Sequence, residues 1–506
     1  MVDRLENAPA PAPRLVLRAD GNSQIGLGHV MRLLALAELL RADFAEITFL
    51  IKAPDAAIHL LLHQASIALV NLPGYAPLAE AAALADLLRP TDVLVLDGYG
   101  FTYDYQTTVR SFVAHLVCLD DLHAFPFAAD LVLNPAGGVQ AAQYDLRQPG
   151  ARLLAGPAYA PLRAHFQYSP DTPPAPPSYV LLCLGGADPR QLTRATAAEL
   201  LALPDVVHVH AVVGSAYAAW EVLRAWADTQ GPRLTLHQAL LASQLAALMR
   251  QCGAAVLSPS TISYEYCAAG GGLLLTLPTA DNQHDLDHFL RAAGLALPYP
   301  TAPIVLAAAE APRLAQQLRQ AQRRYFDGQQ GPRLRQEFAA LWVPAAPLRL
   351  RLVQAHDSAQ LLAWTNDPAT RQQSFDPAPV PLARHETWLA GQLAHPARYL
   401  LLLAEATDTG EPAGLIRFAL SPDNATVTLS YSLGSAHRGR GWAAPLLLAG
   451  TRAALAAWPQ VAQVLGEVKA DNVASVRAFR RAGFGEVAGT GPVGSRTFAW
   501  IAAPAT

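Results

Sequence analysis

The chain has 506 residues, too many for one ordinary hydrophobic core, so two or three domains are expected. With 52% hydrophobic and only 15% charged residues it reads as a well-buried globular protein, and a net charge of −3 argues against a general nucleic-acid or membrane-surface role. No secretory leader is legible at residues 1–6, and no uncharged apolar run reaches the roughly 18 residues of a membrane span. Cys118, Cys183, Cys252 and Cys267 are widely spaced with no CxxC pairing, which points to buried thiols in a cytoplasmic protein rather than disulfides or a metal set.

In chain order, the apolar run Leu15-Val16-Leu17 leads through Arg18-Ala19-Asp20-Gly21 to the loop Gly26-Leu27-Gly28-His29-Val30-Met31-Arg32. The spacing predicts strand, glycine-rich loop and then a helix with Leu33, Leu36, Ala37 and Leu40 on one face. Glycines let a ligand approach the backbone, and free N–H groups at a helix start favour a phosphate. His29 therefore stands as a titratable imidazole beside a phosphorylated ligand. Apolar strands at residues 47–51, 93–97, 116–120 and 131–134 alternate with helical patterns, which implies a parallel, doubly wound sheet over residues 14–168.

Residues 170–178 are a proline-rich extended linker, after which the alternation restarts at 179–184, 207–213, 254–257 and 273–276. This second lobe, residues 178–342, carries the turn Gly185-Gly186-Ala187-Asp188 and the stretch Ser258-Pro259-Ser260-Thr261-Ile262-Ser263-Tyr264-Glu265. Ser260 and Thr261 sit where hydroxyls meet a diphosphate at a helix start. Glu265, one turn later, either accepts ribose hydroxyls or is a capping or surface carboxylate. Asn282 and Gln283 lie in a loop whose amides suit sugar substituents. Residues 316–338 read as a polar helix closing the unit, and a proline-rich break at 343–347 follows.

From 347 to 503 the pattern changes to α+β: a strand, helices, antiparallel strands at 399–406, 413–420 and 426–433, a helix at 445–458, a strand at 464–468 and a helix at 474–482. His437-Arg438-Gly439-Arg440-Gly441-Trp442-Ala443 stands between strand and helix, where successive N–H groups form an anion nest and two arginines add charge.

Taken in order, Arg18-Ala19-Asp20, the Gly28-His29-Val30-Met31-Arg32 loop, Asp97-x-Tyr99, Cys118-Leu119-Asp120-Asp121, Leu184-Gly185-Gly186-Ala187-Asp188, Ser260-Thr261 with Tyr264-Glu265, and Asn282-Gln283 resemble the UDP-sugar hydrolases of pseudaminic acid biosynthesis. The resemblance covers roughly residues 14–340 and implies two Rossmann-like lobes of glycosyltransferase-B type. It also implies metal-independent cleavage of UDP from a UDP-2,4-diacetamido-2,4,6-trideoxy sugar. By the same resemblance, His29 is the general base toward water, a task that suits an imidazole. Asp20 and Tyr99 orient water or sugar, while Gly28, Arg32, Gly186, Ser260, Thr261, Glu265, Asn282 and Gln283 meet the nucleotide sugar. Asp97 and Asp121 read equally well as structural groups that fix loops through backbone N–H groups. Pro259 departs from the pattern, standing where relatives often have glycine.

The C-terminal region resembles the GNAT acetyltransferases, on the Arg438-to-Ala443 loop together with Asn472, Ser475 and the helix end Ala482-Gly483-Phe484. The resemblance implies that the two central strands splay and that acetyl-CoA is held by Arg438, Gly439, Arg440, Gly441, Trp442, Ala443, Asn472 and Ser475. Trp364, Asn366, Asp367-Pro368, Arg371 and His385-Glu386 with Trp388 narrow the likeness to amino-sugar N-acetyltransferases, with Trp364, Asn366 and Arg371 toward the sugar, although Trp364 reads equally well as core. Amide formation needs a base for the amine proton and an acid for the thiolate. Glu467 is the candidate for the first. Many relatives supply the second from a tyrosine seven residues after the motif asparagine, where this chain has Phe479.

Together these readings predict a bifunctional enzyme that N-acetylates a UDP-4-amino-4,6-dideoxy sugar and then hydrolyses the nucleotide from the product. The expected co-substrate is acetyl-CoA, no metal is involved, and other enzymes of the same pathway are the expected partners. The alternatives are sugar transfer to an acceptor in the same cleft, or a nucleotide-sugar-binding scaffold that feeds the acetyltransferase.

Overall fold

The protein is described by a computed structural model covering residues 13–21, 27–167, 174–306, 309–489 and 491–504. Gly26 of the N-terminal loop, residues 170–173 of the linker and the Asn282 side chain lie outside the described part. The chain forms two compact units, Met1–Gly331 and Pro332–Thr506.

The first unit holds two parallel sheets. One contains β1 (Arg14–Ala19), β2 (Glu46–Lys52), β3 (Ala68–Leu72), β4 (Val93–Asp97), β5 (His115–Leu119), β6 (Leu131–Asn134) and β7 (Arg152–Ala155), in the order β3-β2-β1-β4-β5-β6-β7. The other contains β8 (Tyr179–Cys183), β9 (His208–Val213), β10 (Leu234–Gln238), β11 (Ala254–Leu257), β12 (Leu273–Thr276) and β13 (Leu297–Pro298), in the order β10-β9-β8-β11-β12-β13. Helices cover both faces, so the central strands are buried on both sides; every residue of β4 and β11 is buried. In each sheet the chain runs outward through three strands and returns beside the first. The strand order thus reverses between β1 and β4, and again between β8 and β11, and the crevice beyond such a reversal is where doubly wound sheets take ligands.

The single helix expected over 316–338 is two helices, Ala311–Tyr325 and Gln330–Ala339, separated by a turn in which Gly328 adopts φ +76°. The second of these groups mostly with the C-terminal compact unit, which takes in residues from Pro332 ahead of the α+β region expected from 347. Its polar side chains explain why: Arg333 donates to the Ala502 carbonyl (2.8 Å), and Gln336 both donates to the Ile501 carbonyl (2.5 Å) and accepts from its N–H (3.0 Å).

The second unit is one sheet of β14 (Leu348–Leu352), β15 (Tyr399–Ala406), β16 (Pro412–Leu420), β17 (Thr426–Leu433), β18 (Gln463–Lys469), β19 (Gly485–Val487) and β20 (Ser495–Ile501), ordered β14-β15-β16-β17-β18-β20-β19. The last two strands extend the element list beyond the final helix expected from sequence. All pairings are antiparallel except β17 with β18. That parallel pair is joined only from Thr426↔Gln463 to Leu429↔Gly466. Beyond it, β17 stays with β16 to Leu433 and β18 stays with β20 to Lys469. The two central strands therefore part, as the resemblance implied. Ile416, Phe418, Leu429, Val464, Phe479 and Phe498 form the core on one face, packed on the helix Ala443–Ala457. Leu401, Leu403 and Leu415 pack on Trp364 and Leu389 on the other.

Candidate active sites

In the first unit, β1 and β4 deliver the key groups to one end of the sheet. His29 is the second residue of the helix Gly28–Leu40, whose start has neither a side-chain cap nor an acidic residue in its first turn, so its N–H groups stay available. A side chain at Gly28 would project into open space, so the glycine leaves this backbone uncovered. Asp97, the last residue of β4, is fully buried and accepts from His29 Nδ1 at 2.7 Å. It also takes two bonds from Arg32, Nε at 2.8 Å and Nη2 at 2.6 Å. Burial opposes the charge on Asp97, but the Arg32 charge and hydrogen bonds, with those of His29, outweigh it and hold the carboxyl below its ordinary range. With Nδ1–H committed to Asp97, His29 presents Nε2 as a free acceptor.

His29, Asp20 and Tyr99 line one open cavity of about 320 Å³, so the sequence-expected catalytic trio shares a site. The Tyr99 ring meets His29 edge-on at 5.0 Å between centroids. Burial and then the Asp121 charge push the Tyr99 hydroxyl up from its usual value. Asp20 is gripped by Arg18 at 2.5 and 2.9 Å and by the Lys52 N–H at 3.1 Å. These interactions outweigh desolvation and keep its carboxyl below the usual range.

Several expected roles change. Arg32 does not face the cavity as a free cation, since it is spent on Asp97 and, at 3.3 Å, on Asp121. Asp97 fixes side chains rather than backbone N–H groups, a role sequence spacing could not reveal because its partners lie 65 and 68 residues away. Sequence reading also missed a buried network on the same cavity wall. Glu80 accepts from Arg18 (2.8 and 3.1 Å) and Tyr105 (2.8 Å) and pairs with Lys52 at 2.5 Å. One signal was available: the chain contains only two lysines, Lys52 and Lys469, and both stand at the candidate sites.

None of Ser260, Thr261, Glu265 or Gln283 lines this cavity. Ser260 precedes the helix Thr261–Ala269 without capping it, so N–H groups remain unsatisfied there. Glu265 is not a surface or capping group: it is buried and accepts from Arg163 at 2.7 Å, with burial raising its pKa against that cation. Gln283 closes its own loop, its amide oxygen accepting from the Thr279 N–H at 2.7 Å. Gly186 lies exposed in a turn packed against Gly214, where a Cβ would stand 2.7 Å from the Gly186 carbonyl oxygen.

In the second unit, Gly439 and Gly441 adopt φ +75° and +76°, conformations that favour glycine. They turn the backbone so that it enters the 15-residue helix Ala443–Ala457, whose start has no side-chain cap and no acidic residue in its first turn. Arg440 is exposed over the Trp442 ring, but Arg438 is diverted: it donates to Asp367 (2.7 Å), Thr370 (2.9 Å) and the Leu433 carbonyl (3.1 Å). The short helix Pro368–Gln373 is thereby tied to the β17 side, and its Gln372 carbonyl accepts from Lys469 of β18 at 2.9 Å. It spans the mouth of the parted strands. Asn472 caps the next helix, accepting from the Ser475 N–H at 3.1 Å. Trp364 belongs to the core, and Asn366 staples a loop through Val380 at 2.8 and 2.9 Å. Glu467 is exposed on β18, one residue beyond the last pair with β17.

Phe479 is buried in an aromatic stack with Phe484 and Phe498, in space that Gly466 leaves; a Cβ there would meet the ring at 2.3 Å. Beside the Phe479 ring stands Tyr431, on the parted end of β17, its hydroxyl 3.0 Å from Ser475 Oγ. Burial raises the Tyr431 pKa and keeps it protonated.

The acetyltransferase (GNAT) domain family matches residues 347–485. The C-terminal unit is an acetyltransferase domain. Over 191 residues the chain is 24% identical to the UDP-2,4-diacetamido-2,4,6-trideoxy-beta-L-altropyranose hydrolase of Campylobacter jejuni, covering 37% of this chain and 65% of that one. An uncharacterised protein of Methanocaldococcus jannaschii is 24% identical over 215 residues, 40% of this chain and 42% of that one. The chain thus spans less than two thirds of either relative. Among solved structures, aminoglycoside acetyltransferase AAC(6')-Ib in complex with coenzyme A is 21% identical, covering 30% of this chain and 94% of that one at a TM-score of 0.27. Spermidine N-acetyltransferase from Vibrio cholerae, in complex with CoA and spermine, is 14% identical over 31% and 95% at 0.28. No helix among the described residues is long and apolar enough to cross a membrane, and no group of three or more His, Cys, Asp or Glu there could hold a metal ion.

Proposed function

We propose that the chain is a bifunctional nucleotide-sugar enzyme: its C-terminal unit N-acetylates a UDP-4-amino-4,6-dideoxy sugar, and its N-terminal unit hydrolyses the resulting UDP-2,4-diacetamido-2,4,6-trideoxy sugar. The observation that carries the hydrolase reading is the His29–Asp97 pair on the cavity at the β1/β4 reversal. His29 Nε2 takes a proton from water as its oxygen bonds to the anomeric carbon, and the bond from that carbon to the diphosphate oxygen breaks. Asp97 holds the tautomer and stabilises the imidazolium, while Arg32 holds Asp97. Asp20 and Tyr99 orient the sugar and the water. The second lobe, of glycosyltransferase-B type, takes the uridine diphosphate on the open helix start at Ser260-Thr261, with Glu265 toward the ribose.

In the acetyltransferase unit the acyl donor is acetyl-CoA. The glycine turn and the open start of the helix Ala443–Ala457 suit its pyrophosphate, with Arg440 as the free cation beside them. The gap between β17 and β18 accepts the pantetheine arm. Glu467 removes the amine proton, and Tyr431 protonates the departing sulfur in place of the absent tyrosine at position 479.

His29→Ala tests the first half. UDP release from the diacetamido substrate is expected to fall by about 100- to 10,000-fold, the range for losing a positioned general base, while acetyl transfer continues. UDP release at the parent rate would remove His29 from the mechanism. Appearance of free sugar without an added acceptor separates hydrolysis from glycosyl transfer.

A further inference from the structure

The face of the second unit's sheet that carries Glu467 also carries an uncompensated cation. Directly paired residues share a face, and Arg417 of β16 pairs with Ser430 of β17, the first residue beyond the last contact with β18. Continued along β18, the same row reaches Glu467, which pairs with Thr497 of β20. Arg417 and Glu467 therefore stand in one row on the two sides of the parted strands. Ile416 and Phe418, the neighbours of Arg417, belong to the core on the opposite face.

The Arg417 guanidinium lies 5.1 Å from the centre of the Trp388 ring, on the helix Leu382–Leu393. No carboxylate pairs with it among the described residues. Asp367 is taken by Arg438, Glu405 by Arg349 and Arg351, and Asp357 by Arg351, while Glu386, on the same helix as Trp388, is exposed and forms no ion pair with Arg417. Burial without a counter-charge lowers the Arg417 pKa from its ordinary value, whereas Arg351, with two carboxylates, is shifted upward. A planar cation fixed on an indole face and left without an acidic partner is suited to receive phosphate oxygens from a ligand.

We propose that Arg417, braced by Trp388, is an anion subsite of the acetyltransferase unit that binds the phosphate of a phosphorylated amine acceptor, so that the unit selects amines carrying a diphosphate over cationic polyamines. This rests on the nucleotide-sugar reading above and adds the residue that enforces it. The acceptor lies across the row, its amine toward Glu467 and its phosphate toward Arg417.

The test measures acetyl transfer by the full chain to a UDP-linked 4-amino sugar and to the same amino sugar without nucleotide. In Arg417→Gln the ratio of the two kcat/KM values is expected to fall about 10- to 100-fold, the range of a charge-assisted contact. Arg417→Lys is expected to keep most of the ratio. In the parent, UDP is expected to compete with the acceptor, and this inhibition is expected to weaken in parallel in the Gln variant. A ratio within about twofold of the parent in a folded Arg417→Gln, or no competition by UDP in the parent, overturns the subsite. If no UDP-amino sugar is acetylated while another phosphorylated amine is, and that reaction depends on Arg417, the subsite stands and the sugar reading falls. Acetylation of the UDP-amino sugar with a ratio unaffected by Arg417→Gln gives the reverse result.

Discussion

Asp97→Asn separates the orienting role of the buried carboxylate from its bulk. The carboxylate accepts from Arg32 Nη2 and His29 through one oxygen and from Arg32 Nε through the other. An amide has one acceptor oxygen and one NH2 group, so it satisfies this pattern in neither orientation. Placed with its oxygen toward His29, it sets NH2 against the Arg32 Nε–H. Reversed, it donates to His29 Nδ1, which moves the ring proton to Nε2 and removes the base. Either way Arg32 keeps only Asp121, at 3.3 Å, as a counter-charge, and removing one partner of a buried ion pair costs about 3 kcal/mol. UDP release is expected to fall about 100- to 10,000-fold, because a histidine in the wrong tautomer cannot accept the water proton. Single-turnover UDP release together with urea denaturation reads both effects. His29→Ala is expected to match the loss of rate at a smaller stability cost, since His29 is only partly buried. Combining the two substitutions is then expected to cost little more rate than either alone. A folded Asp97→Asn protein that releases UDP within about threefold of the parent, with stability unchanged, would refute the role of the pair.

Three further predictions address the rest of the molecule. Gly441→Ala forces a side chain into a φ of +76° at the turn before the helix Ala443–Ala457. It is expected to cost about 1–2 kcal/mol locally and to raise the KM for acetyl-CoA rather than for the amine, as steady-state kinetics would show. Tyr431→Phe removes the hydroxyl bonded to Ser475 and is expected to lower kcat for acetyl transfer about 10- to 100-fold, with coenzyme A affinity by calorimetry little altered. His208, His210 and His237 crowd the β9/β10 edge, where burial and then the mutual charges of its neighbours push His210 down to about 4. A depressed histidine stays neutral when folded and takes up a proton when unfolded. Its contribution is therefore whole above about pH 6.5 and is lost as the pH falls toward 4. Denaturation midpoints between pH 7.5 and 4.5 are expected to reveal a loss of roughly 1–2 kcal/mol that is absent in His210→Gln.

Much of the fold was legible locally. The strands expected at 399–406 and 426–433 form over those residues, and the others shift by a few positions at most, because apolar periodicity is imposed by near neighbours. Phe479 was readable as a missing hydroxyl. The neighbouring hydroxyl of Tyr431, proposed to act in its place, was not, because the two residues meet only when β17 packs against the helix Val473–Arg481. The terminal strands β19 and β20 escaped reading; β19 has only three residues, and they gain their partners from β18 and from each other. That residues from Pro332 pack with the C-terminal unit was not legible for a similar reason, since Gln336 is bonded to a residue 165 positions away.

By itself the sequence determined where the chain turns on glycine, that His29 stands at a helix start, and that Asp20 and Tyr99 come from neighbouring strand ends. Those are properties of backbone conformation and alternation, set within a few residues. Tertiary structure alone decided which charges are spent and which are free. Arg32 and Arg438, expected to meet ligands, are consumed by Asp97 and Asp367, while Arg417, which no motif marked, has no carboxylate paired with it among the described residues. A cation's availability depends on every carboxylate that strand order and register bring within hydrogen-bond reach, and those partners come from distant parts of the chain.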